Sequence, residues 1–328
     1  MTSNPAFNAL TDAATVAEAF PALIKDRFFV VTGGNSGIGL ETVKVLAANG
    51  GNVVLCSRSP KNAADALESI SASVPDAAAR VTTMSLDLGS FASIKAFADA
   101  YIATNKPLHV LINNAGVMAS PLAKTSDGFE QQFGVNHLGH MYLTQLLLPS
   151  LRKSGTAATP ARVINVSSIG NFFFSPEGGF RFDDLSAEKH YGYYERYGSS
   201  KLANILFTRE LGRREYDDGN HVVSYSLHPG AIASTNLSRH TSFGAVWDLL
   251  VGLFWKKGGF SVLRRETFKT IPQGAATTIV AALDPVVPPS AHLADCQLSD
   301  AVHHSASVEL QEKLWKVSEE LIASVVSQ

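Results

Sequence analysis

The run Thr32-Gly33-Gly34-Asn35-Ser36-Gly37-Ile38-Gly39 constrains the fold more than any other segment, because it joins two patterns of different period. Before it, Phe28 to Val31 is a continuous apolar stretch of the kind a buried strand needs; after it, Leu40 to Ala48 reads as a helix. Glycines in such a turn permit positive φ and close backbone approach. The free N–H groups of the first helical turn, together with the helix dipole, attract a diphosphate. A strand, a tight turn and a helix start therefore make a dinucleotide site, with Gly33, Asn35, Ser36, Gly37, Ile38 and Gly39 as its candidate contacts.

The rest of the chain repeats the alternation of apolar runs and helical patterns that marks βαβ units and a parallel sheet. Strands are predicted near 28–32, 52–57, 81–86, 108–113, 161–167, 221–227 and 293–298. Helices are predicted near 37–48, 61–72, 90–104, 127–151, 197–216, 272–283 and 307–325. This is a Rossmann-type α/β fold: a doubly wound, seven-stranded parallel sheet flanked by helices. No Pro/Ser/Gly-rich linker or internal repeat divides the 328 residues, so a single domain over 26–328 is expected behind an N-terminal extension, 1–25. With 27 basic against 29 acidic residues, the chain offers no surface for a nucleic-acid partner. Cys56 and Cys296 fit no metal spacing and read as core thiols, and no metal is expected.

Ligands in such sheets lie beyond the carboxyl ends of the strands, where strand order reverses. After the glycine turn these ends carry Ser57-Arg58, Asp87-Leu88, Asn114-Ala115-Gly116, Ser168 and Pro229-Gly230, so that with the turn itself six strand ends converge on one crevice. Where an NAD enzyme offers a carboxylate to the ribose 2′-hydroxyl, this chain has Ser57 and Arg58, a hydroxyl and a guanidinium able to hold a 2′-phosphate. The expected cofactor is NADP(H). The glycine loop adds no second basic residue, only Asn35-Ser36.

Tyr197 and Lys201 stand four apart in YGSSK, on one face of a predicted helix, where an ammonium can lower the phenol pKa. That pair makes a proton donor for a carbonyl. Ser168, at the end of the fifth strand, can donate to the same oxygen as charge develops on it; Ser167 is its rival.

In TGGNSGIG, Asn113-Asn114-Ala115-Gly116, Asn136 within VNHLGH, Ser167-Ser168, YGSSK and His228-Pro229-Gly230, taken in order, the chain resembles the short-chain dehydrogenase/reductase superfamily from about Asp26 onward. LCSRSP, FGVNHLGHMYLT, SKLANILFTREL and PQGAATT are similar to the branch of retinol dehydrogenases, WW-domain oxidoreductases and the plastid import-associated dehydrogenase. The resemblance implies that Tyr197 is the acid/base and that Lys201 also binds the nicotinamide ribose. It implies that the second serine, Ser168, holds the substrate oxygen, and that Asn136 holds a water linking Lys201 to solvent. Past Pro229-Gly230 come Ile232, Ser234 and Thr235, the last two competing for the family's carboxamide-contacting hydroxyl. Homo-oligomers through helices near 127–151 and 197–216 are common in the family, whereas the insertion before Tyr197 and the lid favour a monomer.

The substrate expected is a small-molecule carbonyl or alcohol on a bulky hydrophobic body. Phe172, Phe173, Phe174, Tyr193 and Tyr194 are expected to form an apolar wall, with Met118 and a lid near 236–270 opposite. Within that lid, the strongly apolar residues 243–255 are too few to span a bilayer and form either a substrate cover or a peripheral membrane contact. The N-terminus lacks a signal or transit pattern, so a cytoplasmic location is expected. A dinucleotide-binding regulator with little turnover is the alternative to an enzyme; the chain carries no recognition module or charged tail to favour it.

Overall fold

The structure, a computed structural model, describes residues 4–216, 219–232 and 268–327. Its strands are β1 (Phe28–Thr32), β2 (Asn52–Ser57), β3 (Val81–Ser85), β4 (Val110–Asn113), β5 (Ala161–Val166), β6 (Val222–His228), β7 (His292–Ala294) and β8 (Gln297–Leu298). They form one sheet in the order β3-β2-β1-β4-β5-β6-β7-β8, so the order reverses between β1 and β4. β1 to β7 are parallel, and β8 returns antiparallel to β7.

The expected seven-stranded parallel sheet is thus corrected to eight strands, because the apolar run read as one strand at 293–298 is a hairpin. Asp295 and Cys296 turn it with φ of 54° and 63°. Two left-handed residues make a type I′ turn, which ordinarily calls for Asn-Gly; Asp-Cys carries no such signal.

The sheet is covered on both faces, as a parallel sheet must be. Phe29, Val31, Val53, Leu55, Val110, Ile112, Ile164 and Tyr225 point into one apolar layer, and Val30, Val54, Leu111, Val163 and Val222 into the other, the period of 2 expected of strands. The first layer holds α1 (Ala13–Ala19), α2 (Gly37–Ala48), α3 (Pro60–Ser73) and α7 (Ile271–Leu283). The second holds α4 (Phe91–Ala103), α5 (Gly139–Ser154), α6 (Tyr193–Glu215) and α8 (Val308–Val326). The N-terminal extension adds Phe7, Ala13, Val16, Ala17 and Ile24 to the first layer. Helix starts follow side-chain chemistry: Ser59 caps α3, Ser90 α4 and Ser307 α8, while Thr270 and Gln273 form a capping box on α7.

The helix predicted at 127–151 is broken into three pieces. A short turn, Gln131–Phe133, is capped by the Glu130 carboxylate; a π-turn, Gly134–Leu138, follows, and only then α5. π-turns are costly and recur at functional sites; this one carries Asn136. Among the described residues no helix is long and apolar enough to cross a membrane. Residues 243–255, most of the expected lid, and Ser234 and Thr235 lie outside the described residues.

Candidate active site

At the carboxyl end of β1 the chain turns through Gly33 (φ 63°) and Gly37 (φ 54°), left-handed values that glycine adopts without strain. A Cβ at Gly39 would overlap the Gly33 carbonyl oxygen and stand 2.5 Å from Asn114 Nδ2, so only glycine lets α2 start this close to β4. Ser36, at the N-cap of α2, makes no side-chain capping bond, which leaves the first-turn N–H groups to an outside acceptor.

Asn114 ties this turn to the next strand end: its Nδ2 donates to the Thr32 carbonyl at 2.8 Å. Thr32 Oγ1 in turn accepts from the backbone N–H groups of Asn114 (2.9 Å) and Ala115 (3.0 Å). Its own proton goes to His140 Nε2, 2.9 Å away, provided that His140 Nδ1 donates to the Asn136 carbonyl at 3.0 Å. That tautomer satisfies every partner, and burial, which pulls His140 down to about 4, keeps the ring neutral.

The remaining chemistry gathers on β5 and α6. Tyr197 is buried, with its phenol hydrogen-bonded to Ser168. Ser168 Oγ accepts from the Gly170 N–H at 3.1 Å, which leaves its proton for the Tyr197 phenol or for an oxygen placed between the two. Ser167 Oγ instead donates to the Lys201 carbonyl at 2.8 Å, spending its hydroxyl on α6. Lys201 Nζ donates to the Val166 carbonyl at 3.0 Å and lies 5.7 Å from the Tyr197 ring centre. Across the crevice, Asn136 Oδ1 accepts from Val117 N (2.8 Å) while its Nδ2 donates to Val117 O and Ser200 Oγ (both 2.9 Å). Gly116 closes the ring: a Cβ there would stand 3.2 Å from Asn136 Oδ1 and 3.3 Å from Lys201 Nζ.

The electrostatics differ from the sequence expectation that Lys201 lowers the tyrosine. Burial drives Tyr197 up to about 12, opposed by the Ser168 hydrogen bond and reinforced by Tyr194. Burial alone brings Lys201 down to about 8. Burial is the leading cause at both groups, raising the phenol and lowering the ammonium.

The other sequence candidates occupy the same end of the sheet. Ser57 is buried, its hydroxyl engaged by the backbone of Ser59, and Arg58 beside it is exposed. Asp87 Oδ1 accepts from Gly89 N at 2.9 Å, and Leu88 is buried where its carbonyl leaves no room for a Cβ on Gly139. After β6, Pro229 leads into Gly230 (φ 93°), against which the Lys269 stem packs, and Ile232 reaches over Gly274.

Residues 27–179 match the family model for short chain dehydrogenase. Over 300 residues the chain is 38% identical to the chloroplastic short-chain dehydrogenase TIC 32 A of Brassica napus, covering 90% of this chain and 88% of the relative. It is 40% identical over 298 residues to human retinol dehydrogenase 12, covering 90% and 86%. The crystal structure of an uncharacterized protein from Mycobacterium Paratuberculosis superposes with a TM-score of 0.69 at 31% identity, over 92% of this chain and 96% of that one. The chain belongs to the short-chain dehydrogenase family. At that level it is an oxidoreductase of carbonyls and alcohols that uses a nicotinamide cofactor, in the retinol dehydrogenase-like branch.

One turn of α6 before Tyr197 the dehydrogenase packs an aromatic cluster, in an arrangement that corrects the one expected. Met118 is not opposite the aromatic wall but part of it: Met118, Ala119, Phe174, Tyr193 and Tyr194 pack as one cluster. Phe173 turns inward to the core and Phe172 faces solvent. The long insertion before Tyr197 is held by a buried ion pair, Arg196 to Asp184 at 2.6 Å, with Asp184 also accepting the N–H groups of Glu188, Lys189 and His190. His228 Nδ1 accepts from Ile169 N at 3.1 Å, steadying the turn that carries Ser168. Thr32, Gln132, Asp184 and His140 were missed as site residues, since each acts by holding other elements rather than by chemistry of its own; Thr32 and His140 stand at the ends of quoted motifs, TGGNSGIG and VNHLGH, but their spacing gives no sign of the bond between them.

Proposed function

We propose that this dehydrogenase interconverts a carbonyl and an alcohol with NADP(H), using Tyr197 as the acid/base. The observation that carries the reading is the convergence of the Tyr197 phenol, the Ser168 hydroxyl and the Lys201 ammonium within one buried cluster beside the glycine turn. The residues fit a dinucleotide: the β1–α2 turn has two left-handed glycines, an uncapped helix start and a contact at Gly39 that admits no side chain. Gly33, Asn35, Ser36, Gly37, Ile38 and Gly39 would hold the diphosphate, Asp87 and Leu88 the adenine side, and Asn114, Ala115, Gly116, Pro229, Gly230, Ile232 and either Ser234 or Thr235 the nicotinamide half. Ser57 and Arg58 support a 2′-phosphate, because Arg58 supplies an exposed positive charge and Ser57 stands where a carboxylate would repel it. When bound, the cofactor supplies or accepts the hydride.

The chain's own residues manage the proton and the oxygen. Ser168 donates to the substrate oxygen, its hydroxyl aimed by the Gly170 N–H. Tyr197 gives its proton to that oxygen, and Lys201 stabilises the phenolate left behind and steadies the cofactor ribose. Asn136, locked by three hydrogen bonds and placed on a π-turn, fixes the loop between β4 and the site and holds the water through which Lys201 recovers a proton. The aromatic cluster around Tyr194 favours a carbonyl on a bulky apolar body.

The test is loss of NADPH absorbance by the purified protein across aldehydes, ketones and quinones, with a Tyr197→Phe control. Turnover that disappears in Tyr197→Phe is the expected result. Cofactor binding with no turnover on any carbonyl would replace this reading with that of a dinucleotide-binding regulator.

A further inference from the structure

Gln132 lies outside every chemical motif, yet its side chain is fully buried and every polar atom of its amide is engaged. Its Oε1 accepts from Ala119 N at 2.9 Å, in the loop that leaves β4. Its Nε2 donates to the Tyr193 carbonyl at 3.0 Å and to Tyr191 Oη at 3.2 Å, in the segment that enters α6. Tyr191 completes the clasp by donating from Oη to the Ser120 carbonyl at 2.6 Å. One amide thus joins two loops that are far apart in sequence and contribute Met118 and Ala119 on one side, Tyr193 and Tyr194 on the other, to the aromatic wall beside Tyr197.

A second observation falls on the same loop. Ala119 has φ of 47°, a left-handed conformation that is unfavourable for a residue with a Cβ and persists only where its surroundings enforce it. The restraints on it are the Gln132 bond to its N–H and the Tyr191 bond to the next carbonyl. Tyr191 also packs edge-to-face on Tyr193, at 5.4 Å between ring centres, so the clasp positions the ring as well as the backbone.

We propose that Gln132 is a positioning residue for substrate selection: by pinning these two loops it fixes the aromatic wall at the distance from Tyr197 that a bulky carbonyl compound requires. The proposal rests on the carbonyl–alcohol reading above. A small aldehyde reaches the Tyr197 phenol and Ser168 without touching the wall and is indifferent to its placement. A ring system lies along the wall and depends on it.

The test compares propanal with naphthaldehyde in the full-length protein, in wild type, Gln132→Met, Tyr191→Phe and the double variant. Gln132→Met keeps the length of the side chain and removes all three bonds. Because the ratio of kcat/KM for the two aldehydes does not depend on how much of the enzyme is folded, partial loss of stability leaves the readout intact. The ratio of naphthaldehyde to propanal is expected to fall by about tenfold or more in Gln132→Met, mainly through the KM for naphthaldehyde, and by less in Tyr191→Phe. The double variant should fall short of the product of the two, since both act on one clasp. Equal losses on both aldehydes, or a ratio unchanged in both single variants, would overturn the inference while leaving the reaction reading intact, so long as Tyr197→Phe abolishes both turnovers. Turnover that survives Tyr197→Phe would sink the reaction reading and this inference with it.

Discussion

Gly39→Ala is the sharpest perturbation of the dinucleotide site, because it adds one methyl group and no charge. That methyl would overlap the Gly33 carbonyl oxygen and stand 2.5 Å from Asn114 Nδ2, where ordinary contacts begin at 3.4 Å. Neither neighbour can yield cheaply: one is backbone, and the other is fixed by a 2.8 Å bond to the Thr32 carbonyl. The start of α2 must therefore move by roughly 1 Å away from β4, with a strain of the order of 1–3 kcal/mol. For a chain of 328 residues, unfolding entropy of about 2 cal/mol/K per residue turns 2 kcal/mol into a fall in Tm of only about 3 °C. The functional loss should be much larger. The displaced first-turn N–H groups are the ones that meet the diphosphate, and losing two charge-assisted hydrogen bonds at about 1.5–3 kcal/mol each weakens binding by at least 100-fold. The assay is cofactor titration by protein fluorescence alongside a thermal melt. Gly128→Ala is the control: Gly128, unlike Gly39, has positive φ (89°), but a Cβ there meets nothing within 4 Å, so conformational strain is introduced without a clash. A wild-type Kd for the cofactor in Gly39→Ala, or an equal loss in Gly128→Ala, would refute the placement of the diphosphate at this turn.

Arg58→Asp should lower the ratio of kcat/KM for NADPH over NADH by about tenfold at low ionic strength and by less in high salt, because Arg58 is exposed and screened; an unchanged ratio would remove the argument for NADP(H). Ser168→Ala should cost about 100-fold or more in kcat, whereas Ser167→Ala, which loses only the bond to the Lys201 carbonyl, should cost about 1 kcal/mol of stability and leave turnover near wild type. Reduction should be steady below about pH 8 and decline above it, since burial sets Lys201 at about 8 and its ammonium is lost on the alkaline side. Alcohol oxidation should rise up to about pH 8, because Tyr197 must first give up a proton that burial holds tightly, and level off once the Lys201 ammonium is lost; a reduction rate that falls on the acid side of neutrality would contradict both assignments.

The sheet and its helices were legible because their signals are local. Apolar runs ending in Gly33, Ser57, Asn114, Ser168 and Pro229 marked β1, β2, β4, β5 and β6, and the strand ends found differ from those expected by a residue or two. The β7–β8 hairpin was not legible, because Asp295 suits a left-handed turn position but Cys296, where the turn calls for glycine, does not. The break before α5 was hidden for another reason. The pattern through FGVNHLGHMYLT suits a helix throughout, and it is the Glu130 cap and the π-turn, both set by tertiary contacts, that divide it. The relation between Tyr197 and Lys201 was visible as a spacing, but the burial that dominates both groups was not, since spacing reports a neighbour and says nothing of burial.

What sequence reading could not supply is how the catalytic cluster is tied to the sheet beneath it, and that connection is polar where a core is usually apolar. From Asn136 the bonds run through His140 to Thr32, the end of β1. From the His140 carbonyl they run to Thr144, then to Asn113 on β4, Asn165 on β5 and Thr208 on α6. Thr208 returns to the Asn204 carbonyl, and Asn204 shares the Val166 carbonyl with Lys201. A chain of buried hydrogen bonds costs more than apolar packing when any member is left unpaired, and for that reason it permits only one register of the elements it joins. It connects four separate parts of the chain: β1, the π-turn with α5, β4 with β5, and α6. These carry the cofactor turn, Asn136, the strand ends and the Tyr197–Lys201 pair. Apolar contacts would tolerate a shift of half an ångström between α5 and α6; this network does not, and proton transfer from Tyr197 needs that precision. The polar residues under the site are therefore best understood as the means by which α5, α6 and three strands of the sheet are held in one catalytic geometry.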